Sequence, residues 1–444
     1  MAPPSKVLRW LNEPALWWLL ACIPVLIGII SSLTRILHAK TPANLEDFRA
    51  AARAMLDGQD IYASGHGGYL YPPLIAFLYQ PLAMMGDQAA ALTSLAINAS
   101  LMALTLWLVS RVMVRRIAGL ADPLLIARVA ALGAWLTFDK MRAELAMLET
   151  NVFMLLAFTM AMRYVDRRPW IAGLALGFAF NIKYLPIVLV PYLLLRRRFA
   201  TVAWFALFAV AWGLLPAVSL GWRGNLAAWK QASAGLLGLF GVKVAGAGAA
   251  QIKPITNPTS VSLTSGLARI FELTGTTPIK VAAIIAIVFA ALAAWHYRRN
   301  RLPLLAWPSL TAQALAPFRG LLTIEWMGML LFTLIFSPFT NSRHMYMLLD
   351  VNIAAGVMLL TARKGVPRWP LGVAALLLWA GITLPPGGKT FQSANEAWRG
   401  IGGAGWCMLL MYTSILWTSV RYQRATEAQP AAQPTPATPL PKAA

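Results

Sequence analysis

One short stretch of the chain concentrates the acidic side chains that could do chemistry. The sequence has only 16 Asp and Glu among 444 residues, yet Glu46, Asp47, Asp57 and Asp60 all lie in N-L-E-D-F-R-A-A-A-R-A-M-L-D-G-Q-D-I-Y. Glu46 and Asp47 begin a helical pattern, where a carboxylate can cap the first turn. Beside a partly desolvated cleft, the same carboxylate could act as a general base towards a hydroxyl. Both roles stay open for Asp47.

Turn residues and tyrosines follow these acids. D-G-Q-D-I-Y is typical of a turn, so Asp60 has a structural explanation as well as a possible contact with a substrate hydroxyl. Tyr62 and Tyr71 could present aromatic faces to a sugar, although tyrosine is also common at membrane interfaces. We retain Glu46, Asp60, Tyr62 and Tyr71 as candidates for binding a sugar or its acceptor.

Three basic side chains are candidates for binding phosphate. Lys183 stands in N-I-K-Y-L-P between two apolar runs, and Arg343 and His344 stand in S-P-F-T-N-S-R-H before another. A lysine offers phosphate a compact point charge, and a cation near the membrane is by default a functional hypothesis. Contacts with lipid headgroups would explain Lys183 equally simply, and helix capping would explain the other pair.

Glu149 and Asn151 open a further apolar run and could either cap a helix or hydrogen-bond to sugar hydroxyls. The sequence contains no P-loop, no G-x-G-x-x-G on a strand, no H-E-x-x-H, no Cys/His metal set and no G-x-S-x-G. An ATP-driven pump and a hydrolase of soluble type therefore have no support, and we expect neither a cofactor nor a required metal. A loosely held divalent ion at the acidic stretch stays possible in this interpretation.

The elements that must position these residues are membrane helices. With 59% hydrophobic and 12% charged residues, the chain lies outside the range of soluble proteins. The net charge of +22 comes from short basic clusters between apolar runs, which indicates membrane topology and argues against nucleic acid as a partner. The pattern predicts an all-α polytopic membrane protein with about twelve transmembrane helices.

The basic clusters also predict which segments lie outside. We expect a single membrane domain over 1–424, with outer loops at about 38–87 and 221–278, the first containing juxtamembrane helices. Short runs at 170–182 and 184–195 form a hairpin with Lys183 near its outer tip. The Ala/Pro/Gln/Thr-rich residues 425–444 are predicted to be a disordered cytoplasmic tail.

Several motifs together resemble glycosyltransferase family 87. D-F-x-x-A-A-R-A-x-L-x-G-x-D-I-Y followed by Y-x-Y-P-P-L resembles the first outer loop of that family. N-I-K-Y-L-P, the stretch at 257–269 and S-P-F-T-N-S-R-H resemble three later segments in the right order. L-E-T-N departs from the family's G-Q-x-N by placing Glu149 at the glutamine, and Arg343 stands at the first histidine of a pair.

The resemblance implies a GT-C fold and inverting transfer of a sugar, mannose in this family, from a polyprenyl-phosphate donor to a lipid or glycan acceptor. Asp47 would be the general base, and Lys183, Arg343 and His344 would stabilise the leaving phosphate. The enzyme would lie in a bacterial cytoplasmic membrane with its active site on the periplasmic or extracellular side. A flippase or transporter of lipid-linked sugars, or a glycan polymerase or ligase, is the alternative; a transporter commonly shows matched internal repeats, which this sequence lacks.

Overall fold

A computed structural model describes residues 10–38, 41–64, 69–239, 253–302, 319–362, 366–383 and 389–427. The described residues form helices and no strand, apart from one isolated bridge between Ser260 and Asn341. The prediction of an all-α polytopic membrane protein is confirmed. The tail predicted as disordered lies outside the described residues from 428 onwards, and its first three residues continue the last helix.

The helices are numbered here in chain order over the described residues. The first ten are α1 (Pro14–Leu37), α2 (Ala43–Leu56), α3 (Pro73–Leu78), α4 (Gln80–Ala83), α5 (Asp87–Met113, continued by a π-helical turn Val114–Ala118), α6 (Pro123–Leu136), α7 (Phe138–Met147), α8 (Asn151–Tyr164), α9 (Pro169–Phe180) and, after a 3₁₀ turn Leu185–Val188, α10 (Leu189–Leu195). The others are α11 (Phe199–Leu214), α12 (Ala217–Leu239), α13 (Leu263–Ile270), α14 (Thr277–Arg299), α15 (Arg319–Phe336), a 3₁₀ helix Ser342–Met347, α16 (Leu348–Thr361), α17 (Trp369–Thr383), a 3₁₀ turn Lys389–Phe391, α18 (Gln392–Gly400) and α19 (Gly403–Glu427).

The length and composition of these helices set how many can cross a membrane. Among the described residues, four helices are long and apolar enough, or up to seven if each sharply bent pair is one span. Five further apolar helices, including α6, α9 and α17, are shorter. The predicted runs fall on observed helices, but the count of twelve crossings stays a prediction because it includes these short helices.

One predicted loop is partly helical. The sequence predicts a span ending at 220 and an outer loop over 221–278, whereas α12 continues to Leu239 after a 105° bend from α11. Gly221 has φ +67° within α12, a conformation that glycine adopts without the steric penalty of a side chain. Residues 240–252 of that loop lie outside the described part of the chain.

The acidic stretch forms α2, an amphipathic helix fastened to the start of α5. Its apolar face buries Leu45, Phe48 and Met55 against α3 and α4. On the same helix Arg49, only 3% exposed, donates to the carbonyls of Leu82 (3.0 Å) and Met85 (2.6 Å) and forms an ion pair with Asp87 at 2.6 Å. Arg49 therefore fixes the position of the helix that carries Asp47.

Replacing Arg49 by alanine is expected to lower the free energy of unfolding by about 2–3 kcal/mol, because buried carbonyls lose a charged donor. The measurement is thermal unfolding of the detergent-solubilised protein. Arg53 on the same helix is the control: its side chain is 54% exposed and donates to one carbonyl, that of Ala83. Equal effects of Arg49→Ala and Arg53→Ala would contradict this role of Arg49.

A second charged cluster ties the helices together at the other end of α5, about 40 Å from its start. Asp166 pairs with Arg116 at 2.9 Å and with Arg198 at 2.6 Å. Arg196 pairs with Glu325 of α15 beside it. Asp166 joins the connection between α8 and α9 to the end of α5 and to the connection between α10 and α11, and Glu325 joins that second connection to α15. These arginines are therefore already paired inside the fold.

Candidate active site

Four elements meet beside α2 and bring the predicted polar residues together. The first turn of α2 contacts the 3₁₀ helix Ser342–Met347, which packs on α7 and α8. A 120° bend joins α7 to α8, with Leu148 in the left-handed conformation at φ +53°. The connection between α9 and the following 3₁₀ turn lies against the other three elements. We call the place where these four elements meet the corner. The site is therefore built from segments far apart in the sequence.

Lys183 lies in the connection after α9, as the hairpin interpretation predicts. Its Nζ donates to Oδ1 of Asn151 at 2.7 Å and lies 5.5 Å from the centre of the Tyr71 ring. Burial lowers the pKa of the Lys183 ammonium, while the nearby carboxylates of Glu149 and Glu144 favour its charged form. Among the residues that the structure describes, an amide and an aromatic face thus hold the lysine rather than a direct ion pair.

Arg343 is bound on two sides at the start of its 3₁₀ helix. One guanidinium nitrogen, Nη1, lies 2.8 Å from Oε1 of Glu149 and 3.1 Å from Oδ1 of Asn44 in α2. The second carboxylate oxygen of Glu149 is 3.5 Å from the hydroxyl of Tyr71. Burial raises the pKa of Tyr71, so its hydroxyl stays protonated. Arg343 therefore joins α2 to the corner that holds Lys183.

Glu149 and Asn151, predicted to bind the sugar or acceptor, lie beneath the site instead of at its surface. They are 4% and 0% exposed, and their hydrogen bonds go to Arg343 and Lys183. Such burial suits residues that hold the two cations in place. Neither residue was predicted in this supporting position, because sequence spacing alone does not show which side chains face each other across the bend.

Two further residues of the site were not predicted, because they belong to α7, whose sequence is typical of a connection between apolar runs. Glu144 is 1% exposed and accepts from Nδ2 of Asn151 at 2.9 Å and from the backbone N–H of Val152 at 3.0 Å. Lys140, 7% exposed, donates to the hydroxyl of Ser342 at 3.1 Å, next to Arg343. The signal that could have found Glu144 is its occurrence in A-E-L-A-M, an otherwise apolar sequence.

The segment at 257–269 holds the loop that precedes Arg343. The hydroxyl of Ser265 donates to the carbonyl of Pro338 at 2.9 Å, and the hydroxyl of Ser260 accepts from the backbone N–H of Thr340 at 3.1 Å. Arg269 donates to the carbonyls of Asn257 and Ser260 within the segment. This stretch therefore positions Arg343 indirectly, through backbone contacts.

Asp47 lies one helical turn after Asn44, about 4.5 Å along the α2 axis, on the side from which Asn44 contacts Arg343. Its side chain is partly buried. The adjacent Phe48 packs edge-on against Tyr71 with ring centres 5.0 Å apart. His344 follows Arg343 in the same 3₁₀ helix, and its backbone N–H bonds to the carbonyl of Asn341. Asp47, the candidate base, thus lies one turn of α2 away from the residue that contacts Arg343.

Comparison with known families assigns the chain. A model of glycosyltransferase family 87 matches residues 69–323, more than half of the 444 residues. The chain belongs to glycosyltransferase family 87. The match includes Tyr71, Glu149, Asn151 and Lys183 of the site. Asp47 and Arg343 lie outside the matched range.

Two curated proteins are similar to this family 87 chain. Both are named polyprenol-phosphate-mannose-dependent alpha-(1-2)-phosphatidylinositol mannoside mannosyltransferase. The protein from Mycolicibacterium smegmatis is 26% identical over 414 residues, which cover 88% of this chain and 87% of the relative. The protein from Mycobacterium tuberculosis is 32% identical over 246 residues, 49% of this chain and 55% of the relative. Membership of this family favours the interpretation as a glycosyltransferase over the interpretation as a transporter.

The other predicted residues of this family 87 enzyme do not join the cluster. Glu46 is exposed on α2. Asp60 accepts from the backbone N–H of Tyr62 at 2.9 Å and from the amide of Gln231 at 3.0 Å, so it orders the turn and ties it to α12. Tyr62 is 1% exposed and donates to the carbonyl of Tyr71 at 2.9 Å. Its ring lies within the protein, where it supports Tyr71 rather than presenting a face to a sugar.

The side chains that could bind a metal are scattered in the described part of the structure. Among the residues it covers, no three His, Cys, Asp or Glu side chains are grouped as metal ligands. The carboxylates of the acidic stretch are spread out in the same way: Asp57 and Asp60 lie beyond the end of α2, and Glu46 is exposed. Whether the enzyme uses a cofactor stays a prediction from the chemistry of its donor.

Proposed function

We propose that this glycosyltransferase moves mannose from polyprenol-phosphate-mannose to a hydroxyl of a lipid or glycan acceptor, with inversion at the anomeric carbon. The names of both relatives support this donor and a glycolipid acceptor. The site geometry supports a donor with a phosphate, because Lys183 and Arg343 are held side by side over one corner. A phosphodiester between sugar and isoprenoid offers these cations one charged group beside a membrane.

The contacts of Arg343 support the proposal most directly. They join the corner that holds Lys183 to α2, the helix that contains Asp47. The bonds of Arg343 to Glu149 and Asn44 fix the distance between the phosphate-binding groups and α2. Arg49 fixes the opposite side of α2. Asp47 is therefore held on a braced helix, as a general base must be when an acceptor hydroxyl approaches a bound donor.

The transfer is a single displacement. The acceptor oxygen forms a bond to the anomeric carbon as the bond from that carbon to the phosphate oxygen breaks. The Asp47 carboxylate takes the hydroxyl proton, and polyprenyl phosphate leaves with the bonding electron pair. Negative charge grows on the phosphate as the bond breaks, so Lys183 and Arg343, with His344 beside them, stabilise the transition state more than the bound donor.

This chemistry proceeds without a metal in our proposal, because the phosphate is already a good leaving group and two side-chain cations take its charge. We further propose that the enzyme lies in the bacterial cytoplasmic membrane with this corner at the periplasmic or extracellular face. The support is the uneven distribution of charge: the arginine cluster of Arg116, Arg196 and Arg198 lies at the end of α5 remote from α2. Basic clusters favour the cytoplasm.

The test is transfer of radiolabelled mannose in membrane vesicles that contain the protein. Polyprenol-phosphate-mannose should support transfer to extracted glycolipids, while polyprenol-phosphate-glucose and GDP-mannose should support little. With an acceptor that does not cross membranes, right-side-out vesicles should be active and inverted vesicles inactive. Vesicles without the protein give the background. Transfer from GDP-mannose alone would reject the donor assignment, and activity confined to inverted vesicles would reject the proposed side.

A further inference from the structure

We propose that Glu144 is a positioning residue that sets the direction of the Lys183 ammonium through the side-chain amide of Asn151. The inference rests on the proposed function, in which Lys183 binds the phosphate of the donor. It concerns a residue outside the motifs that carry the family resemblance, on α7. The three side chains form a chain of hydrogen bonds from a buried carboxylate to the cation.

The first step is the orientation of the Asn151 amide. Both carboxylate oxygens of Glu144 accept from N–H groups, and one of them accepts from Nδ2 of Asn151 at 2.9 Å, so the nitrogen side of the amide faces Glu144. The carbonyl of Arg343 lies 3.4 Å from the same nitrogen and favours the same orientation. Oδ1 of Asn151 must then point the other way, where it meets Nζ of Lys183 at 2.7 Å.

Glu144 is itself fixed, which makes it suitable for this role. Its second oxygen accepts from the backbone N–H of Val152 in the first turn of α8 at 3.0 Å, and the residue is 1% exposed. That N–H is among those at a helix start that have no partner within the helix. The carboxylate therefore joins α7 to the start of α8 and has no freedom to turn away from Asn151.

The lysine needs such positioning because its side chain is flexible. Lys183 has a flexible four-carbon stem, and ordering it in one rotamer costs side-chain entropy. The Asn151 oxygen and the Tyr71 ring hold the ammonium before a ligand arrives, which leaves less entropy to lose on binding. Phosphate then meets a nitrogen that already points into the corner.

The amide between Glu144 and Lys183 also explains why the carboxylate acts at a distance. A carboxylate bonded directly to the ammonium would neutralise it and compete with phosphate. Arg343 shows the contrast, since it is bonded directly to Glu149 at 2.8 Å. Asn151 passes on the orientation without placing the Glu144 carboxylate against the ammonium, so phosphate does not have to displace a Glu144–Lys183 ion pair.

Glu144→Gln tests this relay with almost no change in side-chain volume. Gln has one acceptor and one donor end, so it cannot accept from both Asn151 and the N–H of Val152. We expect the KM for the donor and the Kd for free polyprenyl phosphate to rise about tenfold, with a smaller fall in kcat because Lys183 also stabilises the leaving phosphate. Thermal unfolding in detergent confirms that the variant is folded.

The decisive measurement combines Glu144→Gln with Lys183→Ala in a double-mutant cycle. If Glu144 acts through Lys183, its replacement should change the Kd for polyprenyl phosphate by less than about twofold once the lysine is absent. A tenfold loss in both backgrounds would overturn the proposal, since Glu144 would then affect the site independently. Unchanged donor affinity in Glu144→Gln alone would overturn it as well.

If Glu144→Gln does not fold, Asn151→Ser removes the relay while keeping the carboxylate and its bond to Val152. It should raise the Kd for polyprenyl phosphate by a similar factor, again only when Lys183 is present, and normal affinity would overturn the proposal. The native protein separates the two hypotheses. Failure of native protein to bind polyprenyl phosphate or transfer mannose rejects the proposed function, whereas native activity with no coupling rejects only the role of Glu144.

Discussion

Asp47→Asn is expected to reduce kcat for mannose transfer by about 10²–10⁴-fold, the contribution typical of a general base. The amide keeps the shape of the side chain but cannot take the proton of the acceptor hydroxyl at neutral pH. Donor binding should persist, because Lys183 and Arg343 are untouched and α2 stays braced by Arg49. The measurement is a steady-state assay with polyprenol-phosphate-mannose that separates kcat from KM.

Glu46→Gln is the matched control for this prediction. Glu46 is the neighbouring carboxylate on the same helix and loses the same charge, but it is exposed and sits on a different face of α2. We expect its kcat within about threefold of native, because exposed charges interact weakly. Near-native turnover in Asp47→Asn would remove Asp47 as the base, and equal losses in both variants would point to the net charge of α2 instead.

The helices could largely be predicted because apolar runs and basic clusters report directly on a membrane. The predicted runs at 170–182 and 184–195 correspond within a few residues to α9 and to the 3₁₀ turn with α10. The bend between α7 and α8 could not be predicted, since α7 mixes charged and apolar residues without a clear period. The helical part of 221–278 could not be predicted either, because glycine is typical of a loop whereas Gly221 lies at a kink within α12.

Several residues that the structure brings together could be named from the sequence, whereas their roles in binding and catalysis stay predictions. Lys183 and Arg343 do face one corner, since lone cations beside apolar runs need polar partners. Those partners come from elements distant in sequence: Arg343 meets Asn44 across 299 positions and Glu149 across 194. No local pattern encodes such contacts. The burial of Glu149 and Tyr62 could not be predicted from the sequence either, because it depends on which parts of the folded chain cover these side chains.

Lys183→Ala is expected to weaken donor binding by about 1.5–3 kcal/mol, or roughly 10- to 150-fold in Kd, the range for a hydrogen bond to a charged group. The loss should show mainly in the donor KM, with a further fall in kcat because the leaving phosphate gains charge in the transition state. Binding of polyprenyl phosphate, followed by isothermal calorimetry in detergent, measures the ground-state part directly.

The dependence of donor binding on pH distinguishes Lys183 from a general loss of positive charge. Burial lowers the pKa of its ammonium, so the native enzyme should lose donor affinity as the pH rises through that lowered value. Lys183→Ala should abolish this fall, because the ammonium that loses its proton is then absent. Lys230→Ala, which removes an exposed lysine of α12, should leave both the affinity and its pH profile unchanged. If Lys183→Ala behaves like Lys230→Ala, the lysine contacts lipid headgroups and the phosphate must be bound by Arg343 without it.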